Sequence, residues 1–448
     1  MEKIPSFKAY DIRGKVPGDL NTDLAYKIGR SLVKYLGAKS IVIGRDVRKS
    51  SPDLSDALTK GLNDAGCDVY DLELCGTEMI YFGTPFLDAD GGVMITASHN
   101  PPEYNGLKFV KRGSVPMGYD SGLDVIEKMV LSNDLGEIAS VRGKVFKKDI
   151  MSEFIAKVTQ FFDPEKIQPY KVVVNAGNGC AGPALDALEK YLPVKMIKIF
   201  HEPDSNFPNG VPNPLLPENR QPTIDAIKKN GADLGVAWDG DYDRCFFFDE
   251  NGSFIEGYYI VGLLAKSILK LNPGGKIVHD SRLVWNTVDV VKKAGGEAVV
   301  SKSGHAFIKQ KMREVNSIYG GEMSAHHYFR DNFYSDSGLI PFVLILQLMS
   351  HEKSTLSDLV GEMIKSYPCS GEINSTVSEP AAKINALKER YSDGTIDELD
   401  GLSIEYPEWR FNVRMSNTEP LVRLNVESKN DAKIMNEKTE EILNFIRG

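Results

Sequence analysis

Three stretches of this 448-residue chain repeat one plan: a run rich in Val and Ile, a polar or glycine-rich turn, a helical period, and a second apolar run. They are SIVIGRDVRKSSPDLSDALTKGLNDAGCDVYDLEL, KVVVNAGNGCAGPALDALEKYLPVKMIKIF and KIVHDSRLVWNTVDVVKKAGGEAVVSKSG. Unbroken apolar runs imply strands buried on both faces, which helices must cover, so each stretch reads as part of a mixed or parallel sheet with helical crossovers. After SYPCSGEINSTVSEP the pattern changes to a helix, several short strands and a closing helix, a smaller unit of another kind. The chain is also too long for a single core. The expected fold is therefore α/β: three related α/β (mixed-sheet) domains, residues 1–146, 147–251 and 252–366, plus a smaller C-terminal α+β domain, residues 367–448, around a central cleft.

Composition removes several classes of function. A formal net charge of −9 supplies no long-range attraction for a phosphate backbone, so no nucleic-acid partner is expected. The longest apolar run, near Tyr258 to Leu269, is interrupted by Lys266 and is too short to span a bilayer, so no membrane partner is expected either. The opening residues MEKIPSFKAYDIRG lack an apolar export segment. Five scattered cysteines, an odd number, suit free thiols in a reducing compartment better than a disulfide framework or zinc site, and a cytoplasmic location is expected. Whether the chain is a monomer or a dimer is not legible.

Four loops carry side chains suited to chemistry. In VMITASHNPPEYNGLKF an apolar strand stops at Ser98 and His99, and two prolines stiffen the turn; Ser, Asn and Pro are ordinary turn formers, but a hydroxyl held on a rigid loop is also a candidate nucleophile. In Trp238-Asp-Gly-Asp-Tyr-Asp-Arg244, the alternating Asp239, Asp241 and Asp243 can turn their carboxylates to one side of an extended loop and offer hard oxygens to Mg²⁺. In GGEMSAHH, Glu322, Ser324 and His326 alternate as a comb able to read vicinal hydroxyls. In RMSNTEPLVR, Arg414 and Arg423 bracket Ser416, Asn417 and Thr418 around a candidate phosphate cradle; an exposed turn of ST-motifs is the plainer reading. Together the four loops point to phosphoryl transfer on a sugar phosphate.

Rival readings start from single motifs. Gly177, Gly179 and Gly182 fit G-x-G-x-x-G between a strand and a helix, with Glu202 at the spacing of a ribose-binding acid, as in an NAD-dependent dehydrogenase; tight packing of helix on strand explains the same glycines. Ser98 beside His99 suggests a serine hydrolase, but adjacent residues rarely form a nucleophile–base pair and G-x-S-x-G is absent. A calcium loop over Asp239 to Glu250 fails at its sixth position, where Arg244 stands in place of glycine. A sugar-phosphate binding protein without turnover would have the same cradle.

Seven motifs in order resemble the α-D-phosphohexomutase superfamily: FKAYDIRG, GRDVRKSS, TASHNPPEYNGLK, DGDYDR, SGHAFIKQKM, GEMSAHH and RMSNTEPLVR. The runs IVHDSRLVWNTVDVV and YGGEMSAHHYFRD are most similar to the bacterial phosphomannomutase branch, while Met323 between Glu322 and Ser324 is similar to the mannose and glucose branches alike. The resemblance implies an intramolecular phosphotransferase that interconverts mannose 1-phosphate and mannose 6-phosphate through phosphorylated Ser98 and a mannose 1,6-bisphosphate intermediate, supplying GDP-mannose synthesis. A dual phosphoglucomutase/phosphomannomutase is the alternative. It further implies one Mg²⁺ per active site, held by Ser98, Asp239, Asp241 and Asp243, and a hexose 1,6-bisphosphate activator. His99, Lys108, Arg244 and His305 would serve catalysis. Tyr10, Arg13, Glu322, Ser324, His326, Arg414, Ser416, Asn417, Thr418 and Arg423 would bind the hexose phosphate, the small-molecule partner.

Overall fold

A computed structural model describes residues 3–415 and 421–448. Its first sheet runs, in spatial order, through Ile12–Lys15, Tyr104–Lys111, Gly91–Ile95, Ser40–Arg45, Asp68–Leu74 and Val145–Lys147. The pairings Ser40–Arg45 with Asp68–Leu74 and with Gly91–Ile95 are parallel, whereas Tyr104–Lys111 joins Gly91–Ile95 antiparallel, so the sheet is mixed. Gly91–Ile95 is buried at every residue, as its unbroken apolar sequence requires. The covering helix Thr22–Leu36 is bounded by local chemistry. Asn21 accepts from the Leu24 amide at 2.9 Å, and Gly37 ends the helix at φ 62°, a conformation open to glycine at little steric cost.

The second sheet repeats the plan. Lys171–Asn175 pairs in parallel with Lys195–Ile199 and with Leu234–Trp238, and Cys245–Phe248 closes it antiparallel. In the third, Lys276–Asp280 pairs in parallel with Glu297–Ser301 and with Tyr319–Gly321. The C-terminal sheet is entirely antiparallel, in the order Ile373–Thr376, Leu421–Ser428, Trp409–Met415, Leu402–Glu405, Thr395–Asp397, and helices Pro380–Arg390 and Ala432–Arg447 accompany it. Its core gathers Leu387, Phe411, Leu424, Val426 and Ile442 from sheet and helices. Three α/β sheets and a smaller α+β unit are what the apolar runs lead one to expect.

By packing, the chain divides into two compact units: the chain up to Phe254 together with His326–Lys353, and Ile255–Ala325 together with Ser354–Gly448. The second polypeptide segment of the first unit carries the hairpin His327–Phe329 and Ser335–Asp336 and the helix Leu339–Glu352. Among the described residues no helix is long and apolar enough to cross a membrane, and all five cysteines are free.

A buried acid organises the second unit. Glu427, with no exposed side-chain surface, accepts from the Val284 amide at 2.7 Å, from Arg410 Nη1 at 2.8 Å and from the Tyr258 hydroxyl. Arg410 in turn donates to the carbonyls of Arg282 at 2.8 Å and Ser281 at 3.2 Å, fixing the loop after strand Lys276–Asp280. Replacing Glu427 by Ala leaves the Arg410 charge buried without its carboxylate, and a loss of about 3–5 kcal/mol is expected, read as a lower unfolding midpoint in urea.

Candidate active site

Strand Gly91–Ile95 delivers Ser98 into a turn where its φ is 50°, a left-handed conformation uncommon for a residue with a side chain. The conformation is held from several directions. The Ser98 amide donates to Thr96 Oγ1 at 2.8 Å, and that hydroxyl donates to Asp46 Oδ2 at 2.8 Å. Arg48, fully buried, donates to the carbonyls of Ser98 (2.9 Å), Asn100 (2.6 Å), Pro101 (2.7 Å) and Tyr104 (3.0 Å). Asp46 holds Arg48 through Nε at 3.1 Å and accepts from Ser51 Oγ at 2.6 Å. One guanidinium thus satisfies four loop carbonyls and freezes the backbone that presents Ser98. Asp46 and Arg48 belong to GRDVRKSS, and the local signal of their task in the sequence is a charged Asp-x-Arg directly after a buried strand.

The aspartate loop joins strands Leu234–Trp238 and Cys245–Phe248, so helices do not flank it. It is a tight turn rather than the extended segment the alternation suggests: Tyr242 has φ 45°, and its amide donates to the Asp239 carbonyl at 3.2 Å. The carboxylates nevertheless converge. Asp239, Asp241 and Asp243 are buried and place ligand oxygens within 4.8 Å of one another. Ser98 Oγ donates to Asp239 Oδ2 at 2.6 Å. Lys108 Nζ bridges Asp241 Oδ2 (2.7 Å) and Asp243 Oδ2 (2.6 Å), Thr77 donates to Asp241, and Arg244 reaches Asp239 Oδ2 through Nε (2.9 Å) and Nη2 (2.7 Å).

The electrostatics follow from burial. Burial alone pushes Asp241 up, but the Lys108 ammonium outweighs it and holds that carboxyl below its usual range. Asp243 is pushed well up, by burial first and then by the charge of Asp241. Burial works against the Lys108 charge, yet Asp241 and Asp243 hold the ammonium above its ordinary pKa, so it stays protonated. Three carboxylates face two cations here, and Asp241 Oδ1 and Asp243 Oδ1 are buried with no hydrogen-bond partner among the described residues. Orphaned hard oxygens on three convergent carboxyl groups fit a divalent cation of the Mg²⁺ type.

His99 Nδ1 lies 3.1 Å from Ser98 Oγ and within hydrogen-bond reach of Arg244 Nη2. A guanidinium only donates, so Nδ1 accepts; burial, then the Arg244 charge, drives this imidazole well below its ordinary pKa. Asp239 lies closer to Ser98 Oγ than His99 does, and Arg244 already engages Nδ1, an arrangement unlike the serine–histidine pair of a hydrolase. Arg13 Nη1 donates to Asn100 Oδ1 at 2.7 Å, while Tyr10 lies half-buried in the bend before strand Ile12–Lys15. The G-x-G-x-x-G glycines are packing residues. A Cβ on Gly179 would stand 2.6 Å from the Gly240 carbonyl, and one on Gly240 would stand 2.4 Å from that of Ser98, so three loops stack backbone to backbone where a pyrophosphate would need room.

His326 sits beside the aspartates, its Nε2 3.7 Å from Asp243 Oδ1 and its ring stacked on Tyr328. The alternation that groups it with Glu322 and Ser324 is broken at Ala325, whose φ is 70° and whose amide closes a turn onto the Glu322 carbonyl at 3.0 Å. In the other unit, Glu322 Oε1 accepts from the Gly304 amide at 2.7 Å, just before His305 opens helix His305–Val315. Arg282 donates to Ser324 Oγ at 3.2 Å and lies 3.5 Å from Glu322. Arg414 and Arg423 pair directly across antiparallel strands, so their side chains share one face, and both reach Glu372. Ser416, Asn417 and Thr418 lie outside the described residues. Arg282 and Glu372 escape sequence reading because no local pattern marks them.

Adding Mg²⁺ is expected to raise the thermal midpoint of the protein, and Asp241→Asn is expected to lose most of that rise; an unchanged Mg²⁺ titration of the variant removes Asp241 from the metal site.

Four family models cover nearly the whole chain: Phosphoglucomutase/phosphomannomutase alpha/beta/alpha domain I over residues 5–136, domain II over 152–252, domain III over 256–367, and the C-terminal domain over 372–444. A protein of Xanthomonas campestris pv. campestris named "Phosphohexose mutases" is 52% identical, covering 99% of this chain and 100% of its own. The "Phosphomannomutase" of Escherichia coli (strain K12) is 50% identical, with 100% of both chains covered. The crystal structure of a phosphoglucomutase/phosphomannomutase family protein from Burkholderia thailandensis matches with a TM-score of 0.87 at 32% identity, over 99% of this chain and 98% of that one. With four ordered domain models and full-length relatives at half identity, the chain belongs to the α-D-phosphohexomutase superfamily, close to the bacterial phosphomannomutases, and is an isomerase that moves a phosphoryl group.

Proposed function

We propose that this enzyme is a phosphomannomutase that converts mannose 1-phosphate and mannose 6-phosphate into one another through phosphorylated Ser98, supplying GDP-mannose synthesis in the cytoplasm. The observation that carries the reading is the meeting of Ser98 Oγ, 2.6 Å from Asp239, with a buried three-aspartate cluster, on a loop that Arg48 holds rigid.

In the forward half-reaction the bond between phosphorus and Ser98 Oγ breaks, and a new one forms to the free hydroxyl of the hexose phosphate. The hydroxyl gives up a proton and Ser98 Oγ regains one, so mannose 1,6-bisphosphate and neutral Ser98 result. The bisphosphate then turns end for end, and its other phosphoryl returns to Ser98 by the reverse exchange. Mg²⁺, held by Asp239, Asp241, Asp243 and the Ser98 oxygen, would neutralise charge on the phosphoryl oxygens. Lys108, whose Nζ lies 2.7 Å from Asp241 and 2.6 Å from Asp243, serves proton transfer or phosphate contact. Arg244 and Arg13 supply donors to the phosphoryl group, and Tyr10 lines its approach. His99, neutral and bonded to Arg244, orients the loop; His305 contacts phosphate or relays a proton.

Glu322 and Ser324 read sugar hydroxyls, with His326 beside the metal ligands. Arg414, Ser416, Asn417, Thr418 and Arg423 hold the phosphate that is not reacting. A cradle that accepts either phosphate and contacts that tolerate both sugar orientations are what permit the turn. Hexose 1,6-bisphosphate activates by loading Ser98 when it is bare. A second reading, dual action on glucose and mannose phosphates, is favoured by the 52%-identical relative whose name covers phosphohexoses generally.

Ser98→Ala is expected to abolish steady-state turnover while retaining a native circular-dichroism spectrum and mannose 1-phosphate binding; measurable mutase activity in that variant would refute the nucleophile assignment. A coupled assay with Mg²⁺ and trace bisphosphate is expected to give a higher kcat/KM on mannose 1-phosphate than on glucose 1-phosphate or glucosamine 1-phosphate. Equal values on mannose and glucose would select the dual enzyme.

A further inference from the structure

Arg414 and Arg423 stand directly opposite each other on adjacent strands, an arrangement in which two like charges repel. The structure resolves that repulsion with one carboxylate. Glu372 Oε2 accepts from Arg414 Nη2 at 3.0 Å, and Glu372 Oε1 accepts from Arg423 Nη1 at 3.1 Å. A third guanidinium, that of buried Arg282, reaches Glu372 Oε2 at 3.3 Å while its Nη2 donates to Asp280 Oδ2 at 2.7 Å and to Ser324 Oγ at 3.2 Å. The placement has a simple backbone cause: Glu372 immediately precedes strand Ile373–Thr376, which pairs with Leu421–Ser428 in a register that sets Asn374 against Arg423.

We propose that Glu372 is a positioning residue of the phosphate cradle: it fixes the guanidinium groups of Arg414 and Arg423 before ligand arrives and, through Arg282, ties them to the loop that bears Glu322 and Ser324. The proposal rests on reading Arg414 and Arg423 as the cradle for the idle phosphate. Its physical basis is a charge count. Three guanidinium groups share Glu372, with Asp280 and Glu322 facing Arg282, so Glu372 alone offsets only one of the two charges of Arg414 and Arg423 and leaves the other for a phosphate. Among the described residues Arg414 and Arg423 also retain partial exposure, 18% and 30% of their side chains, against 3% for Arg282, so they are the more accessible of the three to a ligand. Burial would raise the Glu372 carboxyl, but Arg282 and then Arg414 and Arg423 hold it down at about 2, so the brace stays ionised over the physiological range. Because Arg282 also contacts Ser324, hydroxyl recognition and phosphate recognition keep a fixed spacing, the property needed when the hexose presents either end.

The opposite role is also physically defined. If Glu372 merely competed with phosphate for the arginines, removing its charge would tighten phosphate binding. The full-length enzyme carrying Glu372→Gln, which keeps the shape and loses the charge, separates the two. A positioning role predicts that the KM for mannose 1-phosphate and the inhibition constant for inorganic phosphate rise about tenfold or more, with kcat falling less. Glu372→Asp, which restores the charge on a shorter arm, is expected to lie between wild type and Glu372→Gln in both constants. Phosphate binding that is unchanged or tighter in Glu372→Gln overturns the proposal, as does Glu372→Asp matching the wild type. Titration calorimetry with inorganic phosphate alone keeps the tests apart: a wild-type enzyme inert on every hexose phosphate defeats the mutase reading, while the phosphate affinities of the variants still judge Glu372.

Discussion

Keeping three carboxylates buried within a few ångströms of each other is the constraint on which the serine half of the molecule depends. Two like charges 4 Å apart repel by about 4 kcal/mol at an effective dielectric near 20, and burial adds a desolvation cost to each. Asp239, Asp241 and Asp243 therefore persist only because Lys108 and Arg244 are delivered among them. Lys108 comes from strand Tyr104–Lys111 of the first sheet, and the aspartates come from a turn of the second. Ser98 enters the same cluster on a strained turn that Arg48 clamps, with Gly179 and Gly240 removing the side chains that would hold the loops apart. The site is thus a product of two sheets meeting, and neither could hold these charges alone.

The second unit meets the same physics with the sign reversed. It gathers guanidinium groups, that of Arg282 from a loop and those of Arg410, Arg414 and Arg423 from two strands, and each is matched by an acid: buried Asp280 or Glu427, or partly buried Glu372. Arg410 reaches the Ser281 and Arg282 carbonyls from its pairing with Glu427, so the fold of the unit and the aim of Arg282 share one network. A phosphate that visits Arg414 and Arg423 would enter a lattice of charge already assembled, which lowers the cost of organising donors at the moment of binding.

Membership of the superfamily fixes the reaction class, a phosphoryl moved within one sugar, and the geometry gives that class a physical form. The Ser98 hydroxyl lies against Asp239, with two orphaned carboxylate oxygens nearby for a cation and a neutral His99 whose ring nitrogen is engaged by Arg244. These features exclude a histidine-activated serine and leave no room at Gly179 for a dinucleotide. Mannose and glucose differ at one hydroxyl, so the proposed choice of mannose rests on likeness to the bacterial phosphomannomutases rather than on this chemistry.

The sequence by itself determined the buried strands, the change of architecture in the tail, and the loops that carry Ser98, the aspartates, Glu322 and the paired arginines, because strand burial and turn chemistry are written in neighbouring residues. The backbone differs from the alternation it suggested at two places: the aspartates converge through a tight turn at Tyr242, and the run through Glu322, Ser324 and His326 breaks at Ala325, since period-two alternation fails once a residue turns left-handed. The tertiary structure alone decided which distant groups stabilise those loops. Arg48 clamps Ser98 from 50 positions away, Lys108 reaches Asp241 across 133, and Glu372 reaches Arg414 across 42. Ion pairs and hydrogen bonds depend on separation in space, and no local pattern of residues encodes that separation before the sheets have assembled.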